Sequence, residues 1–159
     1  MNATYELDRF AGNPIITLAD FPGADAVFNP GQTMMGEETI LLVSITHKSG
    51  EYRGIRGATT HVARSRDGIS FNINPEPFLQ RPEAGLYAVV DAHPIDTRIT
   101  KIGEWYYVVH PACGEAGTFG ILGRTKTFSR HEYLEIVSLP DNRVPCLFPE
   151  KIDGQYYRI

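Results

Sequence analysis

Apolar residues come in short runs along this chain, and turn residues break them. Ile40 to Val43 follows Gly36, the run Trp-Tyr-Tyr-Val-Val follows Gly103, and Tyr156-Tyr157 follows Gly154. The runs are rich in Val, Ile, Thr, Tyr and Phe, which suit a pleated, half-buried surface. No long stretch carries a helical period. Thr127 to Leu139 scores as a helix, but it contains Tyr133, Ile136 and Val137 and ends at Pro140, so a strand fits at least as well. The pattern predicts an all-β chain with no helix able to carry a metal-binding motif.

The runs also repeat. "Gly36-Glu-Glu-Thr-Ile-Leu-Leu-Val" returns as "Gly103-Glu-Trp-Tyr-Tyr-Val-Val" and again as "Gly154-Gln-Tyr-Tyr-Arg-Ile". A second element recurs: "Ala63-Arg-Ser-Arg-Asp-Gly-Ile-Ser-Phe" resembles "Gly123-Arg-Thr-Lys-Thr-Phe-Ser-Arg". Periods of roughly 40–50 residues with several strands each are typical of propeller blades. A sandwich with coincidental hairpins is the alternative. The repeat also aligns polar residues, because Asn29 lies seven positions before Gly36 and Asp96 seven before Gly103. The innermost strands of successive blades converge on one channel, so such residues would face a common cavity.

Blade arithmetic sets a further expectation. At about 50 residues per blade, 159 residues supply about three blades. Propellers close with about four to eight. Residues 1–159 are therefore expected to be the N-terminal part of a single propeller domain, truncated at the C-terminus or completed by a partner.

Composition narrows the function classes. The chain is 42% hydrophobic and 21% charged, which excludes a disordered tail or a collagen-like fibre. Net charge is -4, and the 15 basic residues are scattered, which argues against nucleic-acid binding. Apolar runs such as Ile40 to Val43 are far too short to span a bilayer. Met1 to Asp8 has no basic start and no apolar core, so no signal peptide is read, and a cytoplasmic location is expected. Cys113 and Cys146 lack metal-ligand spacing, and so do the five histidines. No metal or organic cofactor is expected. Exposed sheet edges would allow a homo-oligomer.

Three segments hold candidate chemistry. In "His93-Pro-Ile-Asp-Thr-Arg-Ile-Thr", Asp96 sits two residues from Arg98 in a strand-like stretch, so both side chains are expected on one face. That pair reads either as a strand-end ion pair or as a general acid, which requires a carboxyl held protonated by its surroundings. Asp91 is a second carboxylate nearby, and a plain loop position suits it better. In "Asn142-Arg-Val-Pro-Cys-Leu-Phe-Pro-Glu-Lys", Arg143 and Lys151 could bind an anion such as phosphate, or be solvated surface charge. "Phe28-Asn-Pro-Gly" reads as an Asx-Pro turn before a strand, and the Asn29 amide could bind a sugar hydroxyl. The pairs Tyr106-Tyr107 and Tyr156-Tyr157 could stack on sugars, though alternating strand packing explains them better.

Five stretches together resemble glycoside hydrolase family 130, the β-mannoside phosphorylases and related β-mannosidases. They are "Asn13-Pro-Ile-Ile-Thr", "Phe21-Pro-Gly" with "Ala26-Val-Phe-Asn-Pro-Gly", "His61-Val-Ala-Arg-Ser-Arg-Asp-Gly-Ile-Ser-Phe", "Ile95-Asp-Thr-Arg-Ile-Thr-Lys-Ile-Gly" and "Leu147-Phe-Pro-Glu-Lys-Ile-Asp-Gly". They run in family order over nearly the whole chain, which covers the N-terminal half or so of a family member. The resemblance implies a partial five-bladed β-propeller and cleavage of β-mannosidic linkages in a small-molecule β-mannoside. It implies Asp96 as the catalytic acid, Asn29 and Arg98 on the substrate, and Arg143 and Lys151 on phosphate. Three positions depart from the family pattern: Thr97 replaces a proline, Glu150 an arginine, and Ser44 stands where many members carry an arginine. The resemblance leaves two enzyme readings. An inverting phosphorylase needs one carboxyl and positive charge for phosphate, its co-substrate. An inverting hydrolase needs two carboxyls ~6.5–9.5 Å apart. A non-catalytic sugar-binding fragment is the third reading.

Overall fold

The computed structural model describes residues 8–52, 55–114, 117–143 and 145–159. Two four-stranded antiparallel sheets follow one another along the chain. The first is built from β1 (Ala24–Met35), β2 (Glu38–Tyr52), β3 (Ile55–Ser65) and β4 (Asn72–Ile73). The second is built from β5 (Arg98–Ile102), β6 (Trp105–Gly114), β7 (Gly117–Thr125) and β8 (Glu132–Ile136). Each is a simple meander, with strands adjacent in sequence adjacent in space. The all-β expectation holds. Two short helical pieces were not anticipated: a 3-10 turn at Leu18–Asp20, closed by a Thr17–Asp20 capping box, and α1 (Leu86–Val90). The 127–139 stretch forms β8 over its middle five residues.

Two of the three hairpin repeats seen in the sequence, at Gly36 and Gly103, share one kind of turn. Met35 pairs with Glu38 and Ile102 with Trp105, which leaves two-residue turns. Such turns need positive φ at the first position, and Gly36 (φ 63°) and Gly103 (φ 60°) supply it. The second recurrence also has a physical basis. The Ser65 hydroxyl accepts from Gly68 N at 2.8 Å, and the Thr125 hydroxyl accepts from Phe128 N at 3.0 Å. Each hydroxyl closes the turn that delivers the chain from the third strand of its sheet to the fourth.

One core cluster joins the sheets. Ile40, Leu42, Val62 and Leu79 come from the first half, and Tyr106, Val108 and Phe128 from the second. Full burial of such a side chain stabilises by about 1.5–3 kcal/mol. Polar links lock the same junction: Tyr106 Oη donates to Met34 O at 3.2 Å, and Arg64 donates to Thr127 O at 2.6 Å while pairing with Glu38. After β8 the chain folds back as a narrow hairpin. Cys146 and Ile159 exchange backbone hydrogen bonds at 2.8 Å, and Asp153-Gly154, both at positive φ, make the turn. Beside it lies a cavity of about 560 Å³, lined by Tyr107, Val109 and Leu122 from the second sheet and by Leu147 and Tyr156 from the hairpin. No helix among the described residues is long and apolar enough to cross a membrane.

Candidate active site

The junction between the sheets also gathers polar side chains. Asn29 lies inside β1, where the pairing slips between Phe28 and Gly31. "Phe28-Asn-Pro-Gly" is thus a bulge within the strand and not a turn ahead of it. Pro30 has no N–H to place in the ladder, and a bulge tolerates that loss. Asn29 takes φ 41° there, a conformation that Asn adopts more readily than most residues.

Asp96 occupies the corresponding place before β5, with φ 53°. Its side chain is 12% exposed. The Asn29 Nδ2 donates to Asp96 Oδ1 at 2.8 Å. A carboxylate only accepts, so the amide must present its nitrogen and keeps its oxygen for another donor. The Asp96 N–H donates to the Ser44 hydroxyl at 3.0 Å. Arg143, on the segment after β8, brings a guanidinium nitrogen within 3.9 Å of Asp96 Oδ2. The Arg143 side chain is 57% exposed, so most of its fork faces solvent.

Arg98 is placed differently from the sequence expectation. Left-handed backbone at Asp96 breaks the alternation that would put both side chains on one face. The Arg98 guanidinium donates to the carbonyls of Asp96 and Thr97, at 3.2 and 3.0 Å, and braces the loop from behind. Lys151 stands 5.1 Å from the centre of the Tyr156 ring, at the exposed terminal hairpin. The structure thus unites Asn29, Asp96 and Arg143 and sets Lys151 apart.

The loop that carries Asp96 is tied to both sheets. Thr60 Oγ1 donates to Pro94 O at 2.7 Å, and Gly57 leaves room for the His93 ring against its backbone. Asp91, at the other end of the loop, is fully buried. Its Oδ2 accepts from His110 Nε2 at 2.8 Å and from Tyr133 Oη at 3.0 Å. Burial and the adjoining Asp91 charge push the Tyr133 hydroxyl well above its ordinary range. Asp91 is a loop residue, as expected, but a fully buried one that anchors the loop to the second sheet.

His131 packs beside this anchor, its ring 4.6 Å from that of Tyr133 and lying over Gly123. Burial first, and then the His110 charge, push it down to about 3. The sequence pointed to neither Ser44 nor Asp91 as a partner. Ser44 stands out there only as a departure from the family pattern and as a lone hydroxyl between the apolar residues Val43 and Ile45.

No family model matches the chain. The β-1,2-mannobiose phosphorylase of Listeria innocua is 37% identical over 99 residues, covering 62% of this chain and 26% of that protein. The β-1,4-mannooligosaccharide phosphorylase of Ruminococcus albus is 26% identical, covering 93% of this chain and 44% of that protein. The chain thus spans less than half the length of either relative. Among solved structures, the Listeria innocua β-1,2-mannobiose phosphorylase in complex with β-1,2-mannobiose matches with a TM-score of 0.79 at 25% identity, over 94% of this chain and 56% of that one. A structure reported for the family 130 mannoside phosphorylases, among them glycoside hydrolases that target β-1,2 mannosidic linkages, matches in fold, with a TM-score of 0.72 at 17% identity over 83% of this chain and 42% of that one. In sequence the chain is similar to part of the mannobiose and mannooligosaccharide phosphorylases, and in fold to part of a glycoside hydrolase family 130 structure.

Proposed function

We propose that this chain carries the acid half of an inverting β-mannoside phosphorylase, its two sheets forming two blades of a five-bladed propeller and its terminal hairpin opening a third. The observation that carries the reading is the meeting of Asn29, Asp96 and Arg143 at the sheet junction. That set offers one proton donor, one sugar-hydroxyl partner and one phosphate partner.

Asp96 is the general acid. Its proton passes to the glycosidic oxygen as the bond from that oxygen to the anomeric carbon breaks. An oxygen of inorganic phosphate attacks the same carbon from the opposite face. The products are α-mannose 1-phosphate and a sugar with a free hydroxyl, and solvent returns the proton to Asp96. Phosphate is already an anion, so no carboxylate is needed as a base. Arg143 instead presents planar, charge-assisted donors. Lys151, over Tyr156 on the terminal hairpin, stands outside this set. The free oxygen of Asn29 accepts from a mannose hydroxyl. Arg98 acts through the loop backbone.

Incubation with β-1,2- and β-1,4-mannobiose, with and without inorganic phosphate, tests this reading. Mannose 1-phosphate formed only when phosphate is present is the expected result. Free mannose formed regardless of phosphate would establish a hydrolase instead. Binding of mannobiose without turnover by the full protein would indicate a sugar-binding module.

A further inference from the structure

The Asp96 backbone is in a conformation that aspartate enters more readily than most residues, but still at a cost. At φ 53° it lies in the left-handed region, which costs energy for any residue with a Cβ. Two residues ahead of β5, its N–H has no place in the strand ladder. Asp96 is only 8% exposed, so that N–H needs a protein acceptor. Its acceptor is the hydroxyl of Ser44, on β2, an inner strand of the other sheet.

Ser44 is itself out of place by ordinary sheet logic. It is fully buried, flanked by Val43 and Ile45, and cross-paired with Phe28 and Thr60. A hydroxyl buried there costs stability unless it is bonded. The bond to Asp96 offsets that cost. Alanine would suit the strand and the core, but it has no acceptor to offer.

We infer that Ser44 is a positioning residue for Asp96: its hydroxyl holds the left-handed backbone that aims the carboxylate at Asn29. Ser44 does not reach the substrate and acts only through the Asp96 amide. Without the acceptor, Asp96 relaxes toward extended backbone, and its carboxylate swings off the Asn29 amide. The inference rests on the reading of Asp96 as the acid for its effect on rate, but not for its effect on geometry.

The test compares wild type, Ser44→Ala, Ser44→Thr and Thr125→Val. The last removes a similarly buried hydroxyl that holds Phe128 N in the turn between β7 and β8, out of contact with Asp96. Amide hydrogen exchange at Asp96 and the NMR resonances of the Asn29 side-chain amide report geometry without substrate. Turnover of β-mannobiose with phosphate reports function. Ser44→Ala should speed Asp96 exchange about tenfold or more relative to Leu42 and Ile45, and move the Asn29 resonances. It should lower kcat by about two- to tenfold, the rate equivalent of one ordinary hydrogen bond, with little change in the mannoside KM. Ser44→Thr keeps the hydroxyl and should recover both, while Thr125→Val should change neither.

Unchanged Asp96 exchange and Asn29 resonances in Ser44→Ala would overturn the inference. So would altered exchange with an unaltered kcat, because the hydroxyl would then hold the loop without setting the acid. A full protein in which wild type and Asp96→Asn turn over equally would remove the reading of Asp96 as the acid. The exchange and resonance data would still decide whether Ser44 holds it.

Discussion

Asn29 and Asp96 are 67 residues apart in sequence, yet their side chains meet at 2.8 Å across the sheet junction. They occupy like positions in their sheets. Each lies seven residues before the glycine of its first hairpin, and each has left-handed backbone, at φ 41° and 53°. A repeat built around a common centre brings its equivalent positions together there. The same left-handed step that takes Asn29 and Asp96 out of their ladders turns both side chains inward.

If Asp96 donates the proton, Asp96→Asn should abolish most turnover. General acids contribute roughly 10²–10⁴-fold, and kcat should fall within that range. An asparagine at 96 can still bond Asn29 and still lend its N–H to Ser44, so the thermal midpoint should move little. Steady-state kinetics and a melting curve on the same preparation check both halves. Turnover surviving at wild-type level would remove Asp96 from the mechanism.

Arg143 is exposed enough to take an anion and close enough to Asp96 to place it. Arg143→Ala should raise the KM for phosphate by about tenfold or more, one charge-assisted hydrogen bond being roughly that strong, and shift the mannoside KM less. Arg143→Lys should recover part of the loss, since it restores charge without the planar fork. Lys151→Ala, altering a side chain that rests over Tyr156, should have the smaller effect. Equal losses of both substrates' affinities in Arg143→Ala would indicate a structural role.

His131 should make the fold sensitive to acid. Its folded-state value is pushed down to about 3, whereas the unfolded chain titrates near 6.5. Between those two values the unfolded state binds a proton that the folded state refuses. Stability from this group is therefore fully present above pH 6.5 and is lost progressively as pH falls toward 3. The loss is up to about tenfold in the folding constant per pH unit. His131→Phe keeps the edge contacts with Phe78 and Tyr133 and removes the proton. Urea midpoints at pH 7, 5.5 and 4.5 should fall more steeply for wild type than for the variant, and parallel curves would count against the assignment.

The fold was legible where short-range chemistry dictates it. Glycines 36 and 103 fix two-residue turns, and apolar runs on either side form the strands, so the hairpins could be read directly. The repeat predicted which polar residues would converge. Two kinds of feature escaped. Arg98 was expected to share a face with Asp96, but alternation holds only for extended backbone, and Asp96 is not extended. Asp91 lies in a loop as expected, but its burial and pairing escaped, because its partners, His110 and Tyr133, are 19 and 42 residues further on. Long-range polar pairing inside a core leaves no period in the sequence.

Gly31 shows how closely the two sheets meet beside the site. It lies two residues after Asn29, just past the bulge, and it is buried. A Cβ at this position would fall 2.5 Å from Thr97 Oγ1 and 2.6 Å from the Thr97 carbonyl oxygen. The hydroxyl could rotate away, but the carbonyl belongs to backbone, so β1 or the Asp96 loop would have to move. Gly31→Ala should therefore destabilise by about 1–3 kcal/mol, the usual cost of overpacking. The displaced residue is the neighbour of Asp96, so turnover should fall beyond what the stability loss explains. Urea denaturation and kinetics at a temperature where the variant remains folded would separate the two effects. An alanine variant as stable and as active as wild type would mean that the sheets do not meet backbone to backbone at Thr97.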